Sequence, residues 1–333
     1  MQHLDLSVVR QALSWSRGGS TVWLATVLST FGSSPREPGA WLAATRDGRH
    51  IGSLSGGCVE EDFLERLAAG GFGDAPGVRL HRVRYGEGGD VPAPSLPCGG
   101  VLDVLVERFD PGADSETHLE ALAKALEGHL PLRRRVPLDG GSVTLKDDDG
   151  LGERVAFARD TATGEHTEVL LRVGPVARLL IAGMSPVAEA CAGFAVGLGF
   201  EVIVCDPREG VFEGADLAGV EEVALLPSRF IAEGGCHAAT AIVALTHDPR
   251  LDDLTMIEAV KGAAFYIGAM GSLKTSRARA ERLARSGGLT GAEIARLHMP
   301  IGLNLGSKTP AEIALAVMAD VVRVRRGKTR EDV

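Results

Sequence analysis

Apolar positions follow two regimes along the chain, and the change falls near residue 178. In the first 110 residues, short apolar runs alternate with Gly- and Pro-rich stretches. Leu4, Val8, Val9, Leu13 and Trp15 approximate a helical stripe over 4–17. TVWLATVLST (21–30) is β-branched and apolar, the signature of a buried strand. WLAATRDGRHIGSLSG predicts a hairpin turning at Asp47-Gly48. VEEDFLERLAAGG (59–71) predicts a helix whose acidic first turn complements the dipole and whose glycines end it. Strands are expected at 78–86 and 101–109. Residues 111–175 contain a helix near 116–128, then PLRRRVPL and SVTLKDDDG as strand and turn, and read as a connecting or appended region.

From 178 the pattern becomes strand, helix, strand: RLLIAG (178–183), a helix over 186–198, EVIVCD (201–206), AIVALTHD (241–248) and FYIGAMG (265–271). The interval between the second and third of these strands reads as poor in helix. Such alternation predicts a doubly wound parallel sheet. Two helices close the chain, the second capped by Thr309 with Pro310 in its first position. The expected fold class is α/β: an N-terminal α/β domain with Gly-rich loops (1–110), the region 111–175, and a C-terminal Rossmann-like parallel sheet domain (176–333).

Composition narrows the function classes. A formal charge of −9 over 333 residues disfavours nucleic-acid binding, which is driven by phosphate neutralisation. No basic-then-apolar leader and no continuous apolar run of about 18 residues is present, so neither a signal peptide nor a membrane span is expected. The five cysteines (Cys58, Cys98, Cys191, Cys205, Cys236) form no CxxC pair, which points to a reducing cytoplasm.

Two segments concentrate chemistry in the first half: Gly52-Ser53-Leu54-Ser55-Gly56-Gly57-Cys58 and Pro97-Cys98-Gly99-Gly100. Each sets a thiol against a Gly-Gly pair. Glycines allow close approach of backbone to a ligand and leave N–H groups available. Cys58 also stands where a helix begins, and a helix N-terminus favours the thiolate. The competing reading is packing, because free cysteine is among the most buried residue types. Zinc is not expected, since two thiols leave ligands missing. A soft thiolate pair suits molybdenum, or sulfur carried as a persulfide. Arg36, in the preceding Gly- and Pro-rich loop, is either a bidentate anion clamp or a solvated loop residue.

GSSPREPGAWLAATRDGRHIGSLSGGCVEEDFLERL resembles the signature of the XdhC/CoxI family of molybdoenzyme accessory proteins, and PCGGVLDVLVERF is similar to its second signature. THDPRLDD, FYIGAMGSLKTSRARAERL and LHMPIGLNLGSKTPAEIALAVMADV resemble the family's C-terminal domain. The resemblance implies a maturation factor that binds molybdenum cofactor, as molybdopterin or its cytosine dinucleotide form, and helps equip it with a terminal sulfido ligand. It implies a cysteine desulfurase as sulfur donor and an apo-molybdenum hydroxylase of the xanthine dehydrogenase type as recipient. A homodimer is the expectation for a soluble protein of this class.

The turn Gly183-Met184-Ser185-Pro186-Val187-Ala188 departs from the dinucleotide-binding G-x-G-x-x-G/A pattern. Ser185 takes the second glycine's place, and Pro186 removes an N–H donor. Family members often keep glycine and histidine at those two positions. NAD is therefore not expected, and an NAD(P)-dependent oxidoreductase is the alternative that fold analogy alone would favour. Asp206 fits either a ribose-binding acid or a turn aspartate before Pro207. His247 and Asp248 stand where ligands sit in open α/β sheets, with turn chemistry before Pro249 as the competing reading. Lys274 and Arg277 read as a solvated helix start, and His298 and Asn304 as structural hydrogen-bonding residues. A hydrolase built on His247 and the cysteines finds no supporting ligand spacing.

Overall fold

The computed structural model describes residues 4–31, 36–73, 80–86, 101–128, 131–148, 153–161, 163–246 and 248–329, with Cys58 described by its backbone. The chain forms two compact units, Leu4–Pro175 and Val176–Val333.

The unit Leu4–Pro175 runs α1 (Leu4–Arg17), β1 (Val22–Phe31), β2 (Trp41–Ala44), β3 (His50–Gly52), α2 (Cys58–Ala68), β4 (Leu80–Tyr85), β5 (Val101–Phe109), α3 (Ala113–Leu126), β6 (Leu132–Pro137), β7 (Thr144–Asp147), β8 (Val155–Arg159) and β9 (His166–Val173). Five strands pair in the order β3-β2-β1-β5-β4, all antiparallel. The apolar run of β1 follows from burial on both faces. Ala25 and Val27 pack with Leu42, Val104, Phe63 and Leu67, the last two from α2. Leu28 and Leu105 meet Val136, Val169 and Leu171 of a second antiparallel sheet, β7-β6-β9-β8. Residues 111–175 thus carry α3 and a four-stranded sheet. Strand β9 alternates buried and partly buried side chains from Val169 to Val173. The hairpin at Asp47-Gly48 forms as expected, with Ala44 opposite His50 and Gly48 at φ +89°. In α1 the buried face runs through Leu6, Val8, Val9, Ala12 and Leu13, so Leu4 and Trp15 lie off it.

The unit Val176–Val333 runs β10 (Arg178–Ala182), α4 (Pro186–Gly197), β11 (Glu201–Cys205), β12 (Val220–Val223), α5 (Pro227–Ala232), β13 (Thr240–Ala244), α6 (Pro249–Ala259), β14 (Tyr266–Ala269), α7 (Leu273–Gly287), α8 (Gly291–Ala295), β15 (Leu297–His298) and α9 (Pro310–Arg325). Its sheet is parallel throughout, in the order β12-β11-β10-β13-β14-β15. Leu179 and Ile181 feed the core on one face, Leu180 and Ala182 the core on the other. Burial on both faces replaces alternation by continuous apolar runs. The strand order reverses between β10 and β13, the crevice where doubly wound sheets bind ligands.

Two further details differ from the sequence reading. The stretch after residue 206 holds β12 and the six-residue α5. The strand expected over 241–248 ends at Ala244. Beyond it the Leu245 carbonyl accepts from the Ser185 hydroxyl at 2.8 Å, and the Thr246 hydroxyl donates to Asp252 at 2.7 Å, so side chains take over from the ladder. Asp252 also accepts from Arg279 at 2.8 Å, and Arg279 donates to the Met270 carbonyl at 3.0 Å. This buried network ties the loop after β13 to the loop after β14. His298 stacks on Tyr266 at 4.2 Å, and the Tyr266 hydroxyl donates to buried Asp320 at 2.9 Å, which agrees with a structural part for His298.

Removing one partner of a buried ion pair leaves the other charge unmatched. Asp252→Ala is therefore expected to cost roughly 3–5 kcal/mol, and Asp252→Asn less because its carbonyl still accepts. Urea denaturation followed by far-UV dichroism measures both; a cost below ~1 kcal/mol for the alanine variant would contradict a tying role for the network.

Candidate functional site

In the unit Leu4–Pro175 the described candidate residues Arg36, Gly56 and Gly57 gather around the loop between β3 and α2. Gly52 sits at φ +100°, and a Cβ there would collide with the Trp41 carbonyl oxygen. Gly56 is also left-handed, at φ +91°. These two positions bend the chain so that successive N–H groups converge, the geometry of an anion-binding nest. The anion is Glu60. Its Oε1 accepts from the N–H groups of Leu54 (2.7 Å), Ser55 (2.9 Å) and Gly56 (2.9 Å) and from the Ser53 hydroxyl (2.7 Å). Its Oε2 accepts from the Gly57 N–H (2.8 Å) and the Ser55 hydroxyl (3.0 Å). Burial opposes ionisation, but the donors of Ser55, Gly56, Gly57 and Ser53 outweigh it and draw the Glu60 carboxyl down to about 2. The sequence reading left these N–H groups available to a ligand. The structure corrects this: a carboxylate from the third helical position reaches back to accept them.

Helix α2 begins at Cys58 directly after this fastened loop, as expected. The Cys58 side chain, and Cys98 and Gly99, lie outside the described residues. Arg36 donates to the Ser53 carbonyl at 3.2 Å and pairs with Asp5 at 3.2 Å. Arg154 pairs with the other oxygen of Asp5 at 2.6 Å. Asp5 is 1% exposed, so two guanidinium groups share one buried carboxylate beside the Gly-rich loop. Arg36 is therefore an anchored residue rather than a solvated one, in a patch of net positive charge among Asp5, Arg36 and Arg154. The sequence reading takes Glu60 only as an acid of the first helical turn; the signal it offers is its place three residues after the glycine that starts the helix. Arg154 has no local sequence signal.

In the unit Val176–Val333 the edge of the sheet brings Gly183, Ser185 and Asp206 together. Gly183 has φ +84°, and a Cβ would run into the Thr246 methyl group. Ser185 caps α4: its hydroxyl accepts from the Ala188 N–H at 3.1 Å and donates across the switch point to the Leu245 carbonyl at 2.8 Å. Asp206, fully buried, accepts from the Met184 N–H at 2.7 Å and from the Arg208 side chain at 2.6 Å and 2.9 Å. Burial opposes its ionisation, and the Arg208 guanidinium with the Met184 and Arg208 N–H groups more than compensates, so its carboxyl stays below the usual range. Arg208 also donates to the Met184 carbonyl at 2.9 Å, folding over the turn. Sequence reasoning missed Arg208, whose one signal is its place two residues after the strand-ending acid. Asp248 caps α6 by accepting from the Arg250 N–H at 2.9 Å and is joined to Thr246 through its own N–H at 3.2 Å. His247 lies outside the described residues. Among the described residues no cluster of three or more His, Cys, Asp or Glu forms a metal-ligand set, and no helix is long and apolar enough to cross a membrane.

Burial pushes the thiols of Cys191 and Cys205 up to about 12 and that of Cys236 up to about 11. Near neutral pH, iodoacetamide should therefore label Cys58 faster than any of these three, read by peptide mass mapping; faster labelling of Cys191 or Cys205 would defeat the assignment. Glu60→Ala should cost about 1–3 kcal/mol by stripping charge-assisted bonds from the loop. The pH sign follows from the depressed carboxyl: the contribution of Glu60 is complete above its ordinary 4.5 and is lost as pH falls toward about 2. Acid titration of the wild type against Glu60→Ala checks this, with the difference between them expected to vanish at the acid end.

Two family models match the chain: the XdhC and CoxI family over residues 15–81 and the XdhC Rossmann domain over residues 179–321. The chain is 28% identical over 327 residues to the molybdenum cofactor insertion chaperone PaoD of Escherichia coli (strain K12), spanning 96% of this chain and 88% of that protein. It is 26% identical over 323 residues to a probable xanthine dehydrogenase subunit of Bacillus subtilis (strain 168), spanning 91% of this chain and 93% of that protein. A solved structure from Bacillus halodurans, described as a xanthine dehydrogenase, shares the fold with a TM-score of 0.69 at 21% identity, covering 100% of this chain and 98% of the other. With one model on the thiol-loop region and the other on the parallel sheet, together most of its length, the chain belongs to the XdhC and CoxI family.

Proposed function

We propose that this protein is a maturation chaperone for molybdenum cofactor, which it binds as cargo and helps insert into a molybdenum hydroxylase of the xanthine dehydrogenase type. The observation that carries the reading is the start of α2: Cys58 occupies the first helical position behind a loop fastened by Glu60. Similarity to PaoD along nearly the whole chain points the same way. At a helix N-terminus the dipole favours the thiolate, which is both a soft metal ligand and a carrier of persulfide sulfur. Cys98, with Gly99, is the second thiol of the proposed set. Arg36, Gly56 and Gly57 frame the loop. At the sheet edge Gly183, Ser185, Asp206, His247 and Asp248 are proposed to face the phosphate or nucleotide end of the cargo, as molybdopterin or the cytosine dinucleotide form. In this reading the protein acts as a cytoplasmic homodimer, receives sulfur from a cysteine desulfurase and delivers to the apo-hydroxylase.

The edge residues also argue against a nicotinamide oxidoreductase. Ser185 stands where an NAD pyrophosphate needs glycine to approach the backbone, and Pro186 removes an N–H donor from the start of α4, so the dinucleotide-binding mode over this turn is disfavoured. NAD(H) is expected to bind more weakly than about 1 mM; micromolar binding by calorimetry would restore the oxidoreductase reading.

The direct test is activation of an apo-hydroxylase supplied with cofactor, desulfurase and each variant. Cys58→Ala and Cys98→Ala should lower activation at least ~10-fold, about 1.4 kcal/mol, with unchanged circular dichroism. His247→Ala should weaken cofactor retention and leave thiol labelling unchanged. Full activation by the double-cysteine variant would end the thiol role.

A further inference from the structure

Helices cover both faces of the six-stranded sheet, and their outward surfaces differ. On one face α7 turns Lys274, Arg277, Glu281 and Arg285 to solvent, the charged surface a helix shows to water. On the other face α4 and α9 pack side by side. Helix α4 buries Val187, Ala188, Cys191, Ala192 and Ala195. Its outward side, at helical spacing, carries Ala190, Gly193, Phe194 and Gly197, with Leu198 at the cap. Phe194 is 40% exposed and Leu198 51%. The outward side of α9 runs Ala311, Leu315, Ala319 and Val322, with Leu315 51% exposed.

None of these residues belongs to the site proposed above, and none is charged. Glu189 is the one charged residue of α4, and it accepts from the Asp216 N–H at 3.0 Å. On α9, Glu312 accepts from the Lys308 and Thr309 N–H groups at the helix start, Arg323 donates to buried Asp320 at 2.9 Å, and Arg325 lies 5.3 Å from the centre of the Phe200 ring. The charges of both helices are thus engaged at caps, loops and internal pairs, and the shared outward face is neutral.

Apolar surface of this extent calls for a cover. Phe194, Leu198 and Leu315 leave on the order of 250 Å² in water, and the small residues between them extend the patch into the several-hundred range that marks an interaction site. Helices of 12 and 16 residues are about 18 and 24 Å long, so the pair, set ~10 Å apart, presents on the order of 500 Å². Two such faces together bury about 1,000 Å², where a specific interface begins.

The face is also complementary to itself. On a two-fold axis one patch meets its own copy, so a charged patch would repel itself. This one is neutral in a chain of net charge −9. It carries both a hollow and a projection. Gly193 and Gly197 stand one helical turn apart, and a Cβ at either would meet nothing within 4 Å. Glycines so spaced admit a second helix backbone closely. Phe194 stands beside them as the bulk that fills such a hollow. A partner recruited by charge would find nothing here to hold.

We propose that the α4–α9 face is the contact between two copies of this chain, with α4 crossing its counterpart on the two-fold axis and each Phe194 seated over the glycine pair of the other copy. This locates the homodimer contact of the function proposed above; the test uses no cofactor, so its failure leaves the cofactor reading standing. Sedimentation velocity of the full chain from about 1 to 200 µM should show a monomer–dimer equilibrium with Kd roughly 1–100 µM. Gly197→Arg and Phe194→Glu should each weaken it at least ~10-fold with unchanged circular dichroism, since both positions are open to solvent. Mixing the two variants should restore the dimer, because the new arginine of one copy meets the new glutamate of the other while the second half of the contact stays native. A wild type that stays monomeric to about 200 µM would leave the face to a different macromolecule and overturn the proposal. So would undiminished association of either folded variant, or a mixture no more associated than its components.

Discussion

A backbone N–H turned inward at a glycine-rich bend must find an acceptor, and both units of this chain meet that demand with a carboxylate of their own. Glu60 gathers the N–H groups of residues 54–57, and Asp206 takes the Met184 N–H in the turn after β10. The glycines make the bends; the acids make them stable. Everything proposed for the two loops is built on backbone whose shape these carboxylates hold. In each case a charged group also keeps its ionised form despite burial, because hydrogen bonds outweigh desolvation.

The six-stranded sheet keeps the strand order of a nucleotide-binding fold while placing the chain's own groups at the switch point. Ser185 stands where a glycine would admit a pyrophosphate, and its hydroxyl bridges from the start of α4 to the end of β13. Arg208 covers Asp206 from the outside. Architecture and chemistry are thus separable here: the parallel layers persist where the turn has lost the second glycine of the nucleotide-binding pattern.

Much of this is visible in the sequence where the physics is local. The run RLLIAG reads as a doubly buried strand because both of its faces pack into a core, and Asp47-Gly48 reads as a hairpin because the turn needs a left-handed residue. Cys58 stands at a helix start for the same reason: glycines before it, acids after it. The rest depends on distant partners. Asp5 reaches Arg154 across 149 positions, and nothing near either residue announces the pair. Glu60 reads from sequence only as a helix-dipole acid, since the convergence of loop N–H groups on it appears only once Gly52 and Gly56 have bent the chain. Strands β8 and β9 escape the sequence reading because HTEVLLRV blurs its alternation with three apolar residues in a row, and because their core partners Leu28 and Leu105 lie far back in the chain and make 111–175 look like a connection.

One carboxylate receiving four backbone amides makes those amides a single opening unit. None of the four can exchange its proton with solvent by a private fluctuation while the others stay closed, since the shared acceptor must swing away for all. In native-state deuterium exchange, residues 54–57 would then report one common protection factor, set by the equilibrium for opening the Glu60 carboxylate. The beginning of α2 would register the same event, so the time that the Cys58 segment spends in its resting form is governed by a side chain that performs no chemistry itself.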